Sequence, residues 1–388
     1  MSFGDVRVVP TLDDLPGAAW DALLGPDRTP FERHAFLLAL EKSRCAAPKS
    51  GWSPRHLTLW RAGRLIAAAP AYLKHDSDGD FARDWDWASV AGRAGLAYYP
   101  KLCLTIPFTP VTGSRVLIAP GEDRARCVAA ILDGARDLCA REQIPSLQVL
   151  FPGESQAREL EAGGLALRVS HQFHWRNEGY RTADDFLARF NSKRRHMLKR
   201  ERGAAAEQGI TIRTVRAPEL NDTWARAAYA LHRSTVDKLM WGRFWLNEDF
   251  YRLIFAAMPE DLEVVAAEKD GRLVAGAFNV HTPTHLYGRY WGCFEDHPFL
   301  HFNVCLYHSI DQCIQRGVQV FEGGAGGEHK LPRGFMPAVT WSAHASLDRR
   351  LDKAMRDFLD HETPERRRSI TRFAEQSPIF KKQAEAAP

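Results

Sequence analysis

The sequence predicts a mixed α/β fold, α+β in kind, built twice along one chain, with largely antiparallel sheets flanked by helices. Three observations predict it. At 388 residues the chain exceeds what one core of ordinary size holds, so two domains are expected. A short signature occurs twice, GRLIAAA at residues 63–69 and GRLVAGA at 271–277. After each copy a helical pattern and then a strand pattern follow in the same order, which reads as a diverged duplication.

The elements follow from local chemistry. HLTLW at 56–60 and EVVAA at 263–267 are β-type runs, and each leads through an x-Gly-Arg turn into the signature, predicting two hairpins. Residues 126–142 then read as a helix and 147–151 as a strand; in the second half the matching pair is 304–316 and 318–322. An entry strand is expected over 170–176. Residues 182–208 read as one long helix: Thr182 can cap it, Asp184 and Asp185 suit its N-terminus, Phe186, Leu187 and Phe190 form its apolar face, and Gly209 stops it. Residues 223–258 predict two helices around a loop containing Trp241, Phe244 and Trp245 beside Lys238 and Arg243. That loop suits a ligand cover or a packing patch between domains. From Asp348 onward, Leu351, Met355, Phe358 and Leu359 mark an amphipathic helix. The expected domains are 1–167 and 168–388.

Composition excludes several classes. Hydrophobic residues at 45% and charged residues at 26% describe an ordinary globular protein. A net charge of +4 permits an anionic substrate without demanding nucleic acid. The N-terminal stretch has no apolar core of a signal peptide, and no apolar run reaches membrane-span length. The seven cysteines include no C-x-x-C pair, and Cys103, Cys127, Cys139, Cys305 and Cys313 sit in apolar contexts. Reduced thiols and a cytoplasmic location are expected. Among fifteen histidines, the pairs His281/His285 and His297/His301 each flank a proline, and no H-E-x-x-H occurs; no metal site is expected.

The densest chemistry lies at 321–335, FEGGAGGEHKLPRGF. It is not a P-loop, because Glu328 and His329 separate the last glycine from Lys330, and Leu331 stands where a hydroxyl is needed. The glycines also lack the dinucleotide spacing. Glu328, His329 and Lys330 supply a possible base, a possible shuttle and a fixed positive charge after a strand; the alternative is a glycine-rich connection with solvated charges. Lys193, Arg194, Arg195, His196, Lys199, Arg200 and Arg202 crowd the helix predicted at 182–208. They form either a solvated face or a phosphate clamp, the clamp being Lys193, Arg194, Arg195 and Lys199.

Together, several motifs resemble the FemAB-like branch of the GNAT acyltransferase superfamily. In the first half they are GWSPRHL (51–57), KHDSDGDF (74–81), DWA (86–88), YYPKL (98–102) and PFTPV (107–111). In the second they are QFHW (172–175), SKRR (192–195), YWG (290–292), PFLHF (298–302), GEHK (327–330) and RGF (333–335). The resemblance spans most of the chain. It implies tandem GNAT-like domains and transfer of an acyl or aminoacyl group to an amine. No permanent cofactor is implied; the co-substrate would be acyl-CoA or aminoacyl-tRNA, and the partners a tRNA and a small-molecule or cell-wall-precursor amine. Where simple GNAT enzymes carry a Q/R-x-x-G-x-G/A turn for acetyl-CoA, this chain reads EDHPFLH at 295–301.

Such a transfer needs a base, oxyanion donors and an acid for the leaving group. Glu328, His329, Lys330, Tyr290 and His301 are the catalytic candidates, with further donors from the glycine backbone. Lys74, His75, Tyr98, Tyr99, Lys101, His174, Trp175, Trp241 and Arg333 are the substrate-binding candidates, the first five on loops expected to hold the acceptor in a cleft between domains. The competing expectations are a non-catalytic pair of domains binding RNA or a glycan precursor and, on the histidine count alone, a metal-dependent hydrolase.

Overall fold

The structure is a computed structural model that describes residues 3–238, 243–375 and 380. Two compact units form, Met1–Ser170 with Val339–Arg367, and His171–Ala338 with Arg368–Pro388.

The first unit contains β1 (Asp5–Val9), α1 (Gly17–Asp21), α2 (His34–Lys42), β2 (Trp52–Pro54), β3 (His56–Arg61), β4 (Arg64–Ala69), β5 (Ala71–Lys74), α3 (Trp85–Arg93) and β6 (Lys101–Leu104). It continues with β7 (Leu117–Ile118), α4 (Arg124–Glu142), β8 (Ser146–Leu150) and α5 (Glu154–Ala162). Strand β9 (Ala166–Arg176) leads into the second unit, where α6 (Ala183–Ala188), α7 (Ser192–Glu207), β10 (Thr211–Arg216), α8 (Asp222–Val236) and α9 (Glu248–Ala257) precede the hairpin strands β11 (Leu262–Lys269) and β12 (Arg272–His281). There follow β13 (His285–Cys293), α10 (Leu300–Phe302), a π-helical turn (Asn303–Tyr307), α11 (His308–Arg316) and β14 (Val320–Glu322). The chain closes with β15 (Met336–Ser346) and α12 (Arg349–Glu375).

Both predicted hairpins form, and the repeated signature has a backbone cause. Ala62 and Gly63 take φ of 48° and 77°, and Asp270 and Gly271 take 49° and 71°. Two successive left-handed residues suit the tight hairpin turn whose twist matches the strands. In the first unit β1, β3, β4 and β7 form one antiparallel sheet. The strands β2, β5, β6, β8 and β15 pair in that order, parallel only at β6–β8. Helix α4 closes this core, placing Cys127, Ile131 and Leu138 against Leu57, Leu59 and Val149. In the second unit the order is β10, β11, β12, β13, β14 and the end of β9, parallel only at β13–β14. Its core holds Phe173, Trp175, Phe186, Phe190, Phe321 and Phe335.

Two boundaries differ from expectation. The helix predicted at 182–208 is broken: Thr182 does cap α6, but Asn191 accepts a hydrogen bond from the Arg194 amide and starts α7 afresh. An asparagine side chain competes with the helical backbone and favours a cap. Residues 339–367 also group with the first unit instead of the second. Ser342–Ser346 pair with β8, and Leu351, Met355 and Leu359 pack on Trp87, Ala91 and Tyr98. No helix among the described residues is long and apolar enough to cross a membrane.

Candidate functional site

In the second unit the parallel pair β13–β14 lasts for three residues, His285 to Tyr287 against Val320 to Glu322. Beyond it the chains part. β14 runs into Gly323-Gly324, while a register shift against β12 sets Phe278 opposite Tyr290 and Asn279 opposite Gly288, leaving Arg289 as the extra residue of a bulge. A cavity of about 270 Å³ opens in this gap. Its wall includes Arg289, Tyr290 and Trp291 from β13, the 323–327 run, and His329 and Lys330. His301, Cys305 and Leu306 close it from α10 and the π-helical turn. The wider helical turn brings two successive side chains, Cys305 and Leu306, to the wall, a distortion frequent at functional sites.

Lys330 is buried, and its Nζ donates to the carbonyls of Gly324 and Gly326, 2.8 Å each. Burial lowers its pKa to about 8. Its stem runs past Gly323, whose added Cβ would stand 3.3 Å from Lys330 Cε. His301 is half-buried, and burial followed by the charges of His329, Lys330 and Arg333 pulls it down to about 4. His329 is exposed and is also shifted down, by desolvation first and then by Lys330 and Arg333. The two imidazoles lie 5.9 Å apart between ring centroids, and both are neutral at pH 7, so each can accept a proton. Tyr290 stacks on buried His232 at 4.0 Å between ring centroids. Glu328 is exposed and is not among the lining residues.

The His329 ring lies against Gly327, where an added Cβ would meet the ring at 2.5 Å and where φ is +90°. Gly327→Ala is therefore expected to displace the His329 imidazole. His329 ring signals in an NMR spectrum should move while those of buried His174 stay; unmoved His329 signals would refute this packing.

Arg333, expected to bind substrate, is instead spent on the scaffold. Its guanidinium donates to Glu201 at 2.8 Å, to Tyr307 Oη at 2.9 Å and to the His329 carbonyl at 2.7 Å, and lies 3.4 Å over the Phe302 ring. It thereby ties α7, the π-helical turn and the His329 backbone together. Trp175 is likewise a core residue, fully buried against Phe186. His174 pairs with Glu322 in the β9–β14 ladder, and burial holds its imidazole near 3 and so neutral.

A second cavity, of about 400 Å³, shares Trp291 and His301 with the first. Cys293, Glu295, Asp296, His297, Pro298 and Leu300 complete it. Two carboxylates thus stand in the loop before α10. Asp296 pairs with Lys238 at 3.2 Å and Glu295 with Arg272 at 3.4 Å.

The first-unit candidates are mostly scaffold. Lys101 is fully buried, with Nζ 2.7 Å from both Asp80 and Asp84 and 2.8 Å from Ser77 Oγ. Desolvation opposes its charge, but Asp80 and Asp84 outweigh it and hold the ammonium charged. Tyr98 donates to Asp84 at 2.5 Å, and burial and that carboxylate push its pKa up. Lys74 is also fully buried, bonded to Asp76 at 2.7 Å and lying 4.2 Å over the Trp52 ring. Tyr99 is partly exposed and bonded to Ser77; His75 is exposed.

On α7, Lys193 and Lys199 are exposed and Arg194 and Arg195 half-buried. Lys199 approaches Asp184 at 3.8 Å, and Arg202 pairs with Asp311. Trp241 lies outside the described residues. Sequence reasoning missed Asn279, Arg289, Trp291, Cys305 and the supporting Glu201. Trp291 stands inside a quoted motif and was the one within reach; the bulge that presents Arg289 leaves no mark in local spacing. Among the described residues no His, Cys, Asp and Glu cluster could hold a metal.

The structure has the expected mixed α/β fold, with sheets flanked by helices and, in the second unit, a splayed parallel pair over a cavity. The chain belongs to the FemAB-like family, described as peptidoglycan biosynthesis/recognition, which matches residues 11–382. Among solved structures, FemX is similar at 11% identity and a TM-score of 0.53, over 91% of this chain and 100% of that one. A tandem GNAT protein from the clavulanic acid biosynthesis pathway is similar at 13% identity and a TM-score of 0.44, over 88% and 98%. L-PGS from Bacillus licheniformis is similar at 8% identity and a TM-score of 0.48, over 83% and 93%. No curated protein sequence matches. Family membership supports a transferase-type role.

Proposed function

We propose that this protein is an N-acyltransferase that moves an acyl or aminoacyl group from an activated ester or thioester to an amine, in the cavity between β13 and β14. The observation that carries the reading is the cavity wall. It combines neutral imidazoles, His329 and His301, with a buried ammonium and a glycine backbone, and no carboxylate among the described residues lines it. Of the two imidazoles, His329 is the better base, since His301 is depressed to about 4 and a base works best near the operating pH. Tyr290, pinned by His232, is the candidate acid for the leaving group.

Family membership favours an amine of a cell-wall precursor as acceptor. The donor is acyl-CoA or aminoacyl-tRNA. The exposed cations of α7 offer a place for the phosphates of either donor. Seven free cysteines suit a reducing compartment, so we place the enzyme in the cytoplasm.

The test is mass spectrometry of the purified protein with amine acceptors and two donor panels, acyl-CoA thioesters and charged tRNAs. Acylated amine from one panel is the expected result. No transfer from either panel would defeat the reading, and binding of a precursor without transfer would make the protein a recognition module.

A further inference from the structure

One row of directly paired residues runs across the second sheet: Arg216 on β10, Glu263 on β11, Asn279 on β12 and Gly288 on β13. Directly paired residues share a face of the sheet. Glu263 is fully buried, and its carboxylate accepts from Arg316 at 2.7 Å and from Asn279 Nδ2 at 3.2 Å. A carboxylate paired with a guanidinium only accepts, so the NH2 end of the Asn279 amide is the end turned to β11. The amide is planar, and its Oδ1 therefore points to the other side, toward β13. There the row meets Gly288, which has no side chain, at the place where β13 and β14 part. Asn279 is only 2% exposed, and it lines the 270 Å³ cavity together with Gly288. Its Oδ1 accepts no hydrogen bond among the described residues, yet it is not sealed in the core. Buried acceptors are normally paired, so the partner it lacks is a donor brought by a ligand. The charged side chains on the wall among the described residues are Arg289 and Lys330, both cations. They oppose an ammonium, so a nitrogen that reaches Asn279 arrives uncharged.

We propose that Asn279 holds one N–H of the acceptor amine through Oδ1, and that Glu263 is the positioning residue that fixes the amide. The amine role rests on the acyl-transfer reading; capture of an uncharged N–H group by Asn279 does not. A primary amine has two N–H bonds, and Asn279 takes one. The nitrogen lone pair bonds to the acyl carbon as the C=O π pair moves onto oxygen. The second N–H gives its proton to His329. The pair on oxygen then returns, the bond from carbon to the carrier oxygen or sulfur breaks with its electrons, and the proton on His329 passes to that leaving atom. The N–H held by Asn279 survives in the product amide. A secondary amine has one N–H, and it must be lost, so the site selects primary amines.

The experiment is a titration of the full chain at pH 7 with methoxyamine, which is uncharged there and whose only donors are N–H, and with N,N,O-trimethylhydroxylamine, which has none. Proton–nitrogen spectra follow the Asn279 side-chain amide and the Gly288 backbone amide. The expected result is saturable movement of both signals with methoxyamine and none at the Asn279 amide with the trimethylated compound. In Asn279→Ala, methoxyamine affinity read at Gly288 should fall about fivefold, one hydrogen bond's worth. Glu263→Gln lets the Asn279 amide turn either way and should narrow the preference for methoxyamine over the trimethylated compound. No saturable movement at Asn279 in the wild type, or equal movement with both compounds, overturns the N–H site. A wild-type preference in Glu263→Gln overturns the positioning role. If that variant does not fold, solvent exchange in the wild type decides the role: one Asn279 Nδ2 proton should exchange slowly, and fast exchange of both overturns it. Methoxyamine capture by a protein that transfers no acyl group would remove the acyl-transfer reading and leave the N–H site standing. Equal transfer to primary and secondary amines would overturn the amine role of Asn279 and leave the acyl-transfer reading standing.

Discussion

If the cavity is the site of transfer, Lys330→Met, which removes a fixed charge from its wall, is expected to lose about 100- to 1000-fold in turnover, with KM changed far less. It also carries a signature in stability. The folded protein holds Lys330 at about 8, below the ordinary lysine value of 10.5, because burial disfavours the ammonium. Below pH 8 both the folded and unfolded chains keep the proton, and the wild type bears the full cost of the buried charge. Between pH 8 and 10.5 the unfolded chain keeps a proton that the folded one has released, so the contribution of this group to stability rises with pH. Relative to Lys330→Met, the wild type should gain about 3 kcal/mol across that window. Urea unfolding of both proteins at pH 7 and pH 10.5 checks it. A difference that does not change with pH would show that Lys330 is not held low.

Lys101→Met is the second large effect, and it falls on stability. The substitution leaves Asp80 and Asp84 buried without their shared cation. Breaking a buried pair in this way costs about 3–5 kcal/mol. The deficit also has a pH direction. Burial, offset in part by Lys101, already raises Asp80 to about 6, and without the ammonium both carboxyls would hold their protons more tightly. The folded variant then binds more protons than its unfolded chain above the ordinary carboxylate range, so its stability falls as pH rises through that window. The loss should be greatest at pH 7 and narrow towards pH 5. Near-wild-type stability with a raised KM would return Lys101 to substrate binding.

The contrast between Lys330 and Lys101 shows how far residue type carries. Both are lysines in quoted motifs, and both are buried. Lys101 is ringed by two carboxylates and a hydroxyl, and Lys330 by two backbone carbonyls in a cavity wall. Nothing in KHDSDGDF or YYPKL shows that Asp80, Asp84 and Lys101 meet, since Asp84 and Lys101 are seventeen residues apart and joined by a tertiary contact. Arg333 is a parallel case, because Glu201, which neutralises it, stands 132 positions earlier.

Patterns confined to a few residues were legible in the sequence. The two hairpins were readable because Ala62-Gly63 and Asp270-Gly271 must take left-handed turns, whatever lies around them. The amphipathic closing helix was readable from its own period, and Thr182 from the chemistry of a cap. The break at Asn191 was missed because a cap and a solvated helical residue look alike until Phe190 is seen buried. By itself the sequence determined a mixed α/β chain of the FemAB-like kind, with two hairpins on one signature and a glycine-rich loop after a strand. Tertiary structure alone decided which charges are free to act. The parting of β13 from β14, the bulge at Arg289 and the clamp on Lys330 all depend on groups far apart along the chain, and burial, which sets both pKa and availability, exists only once those groups have met.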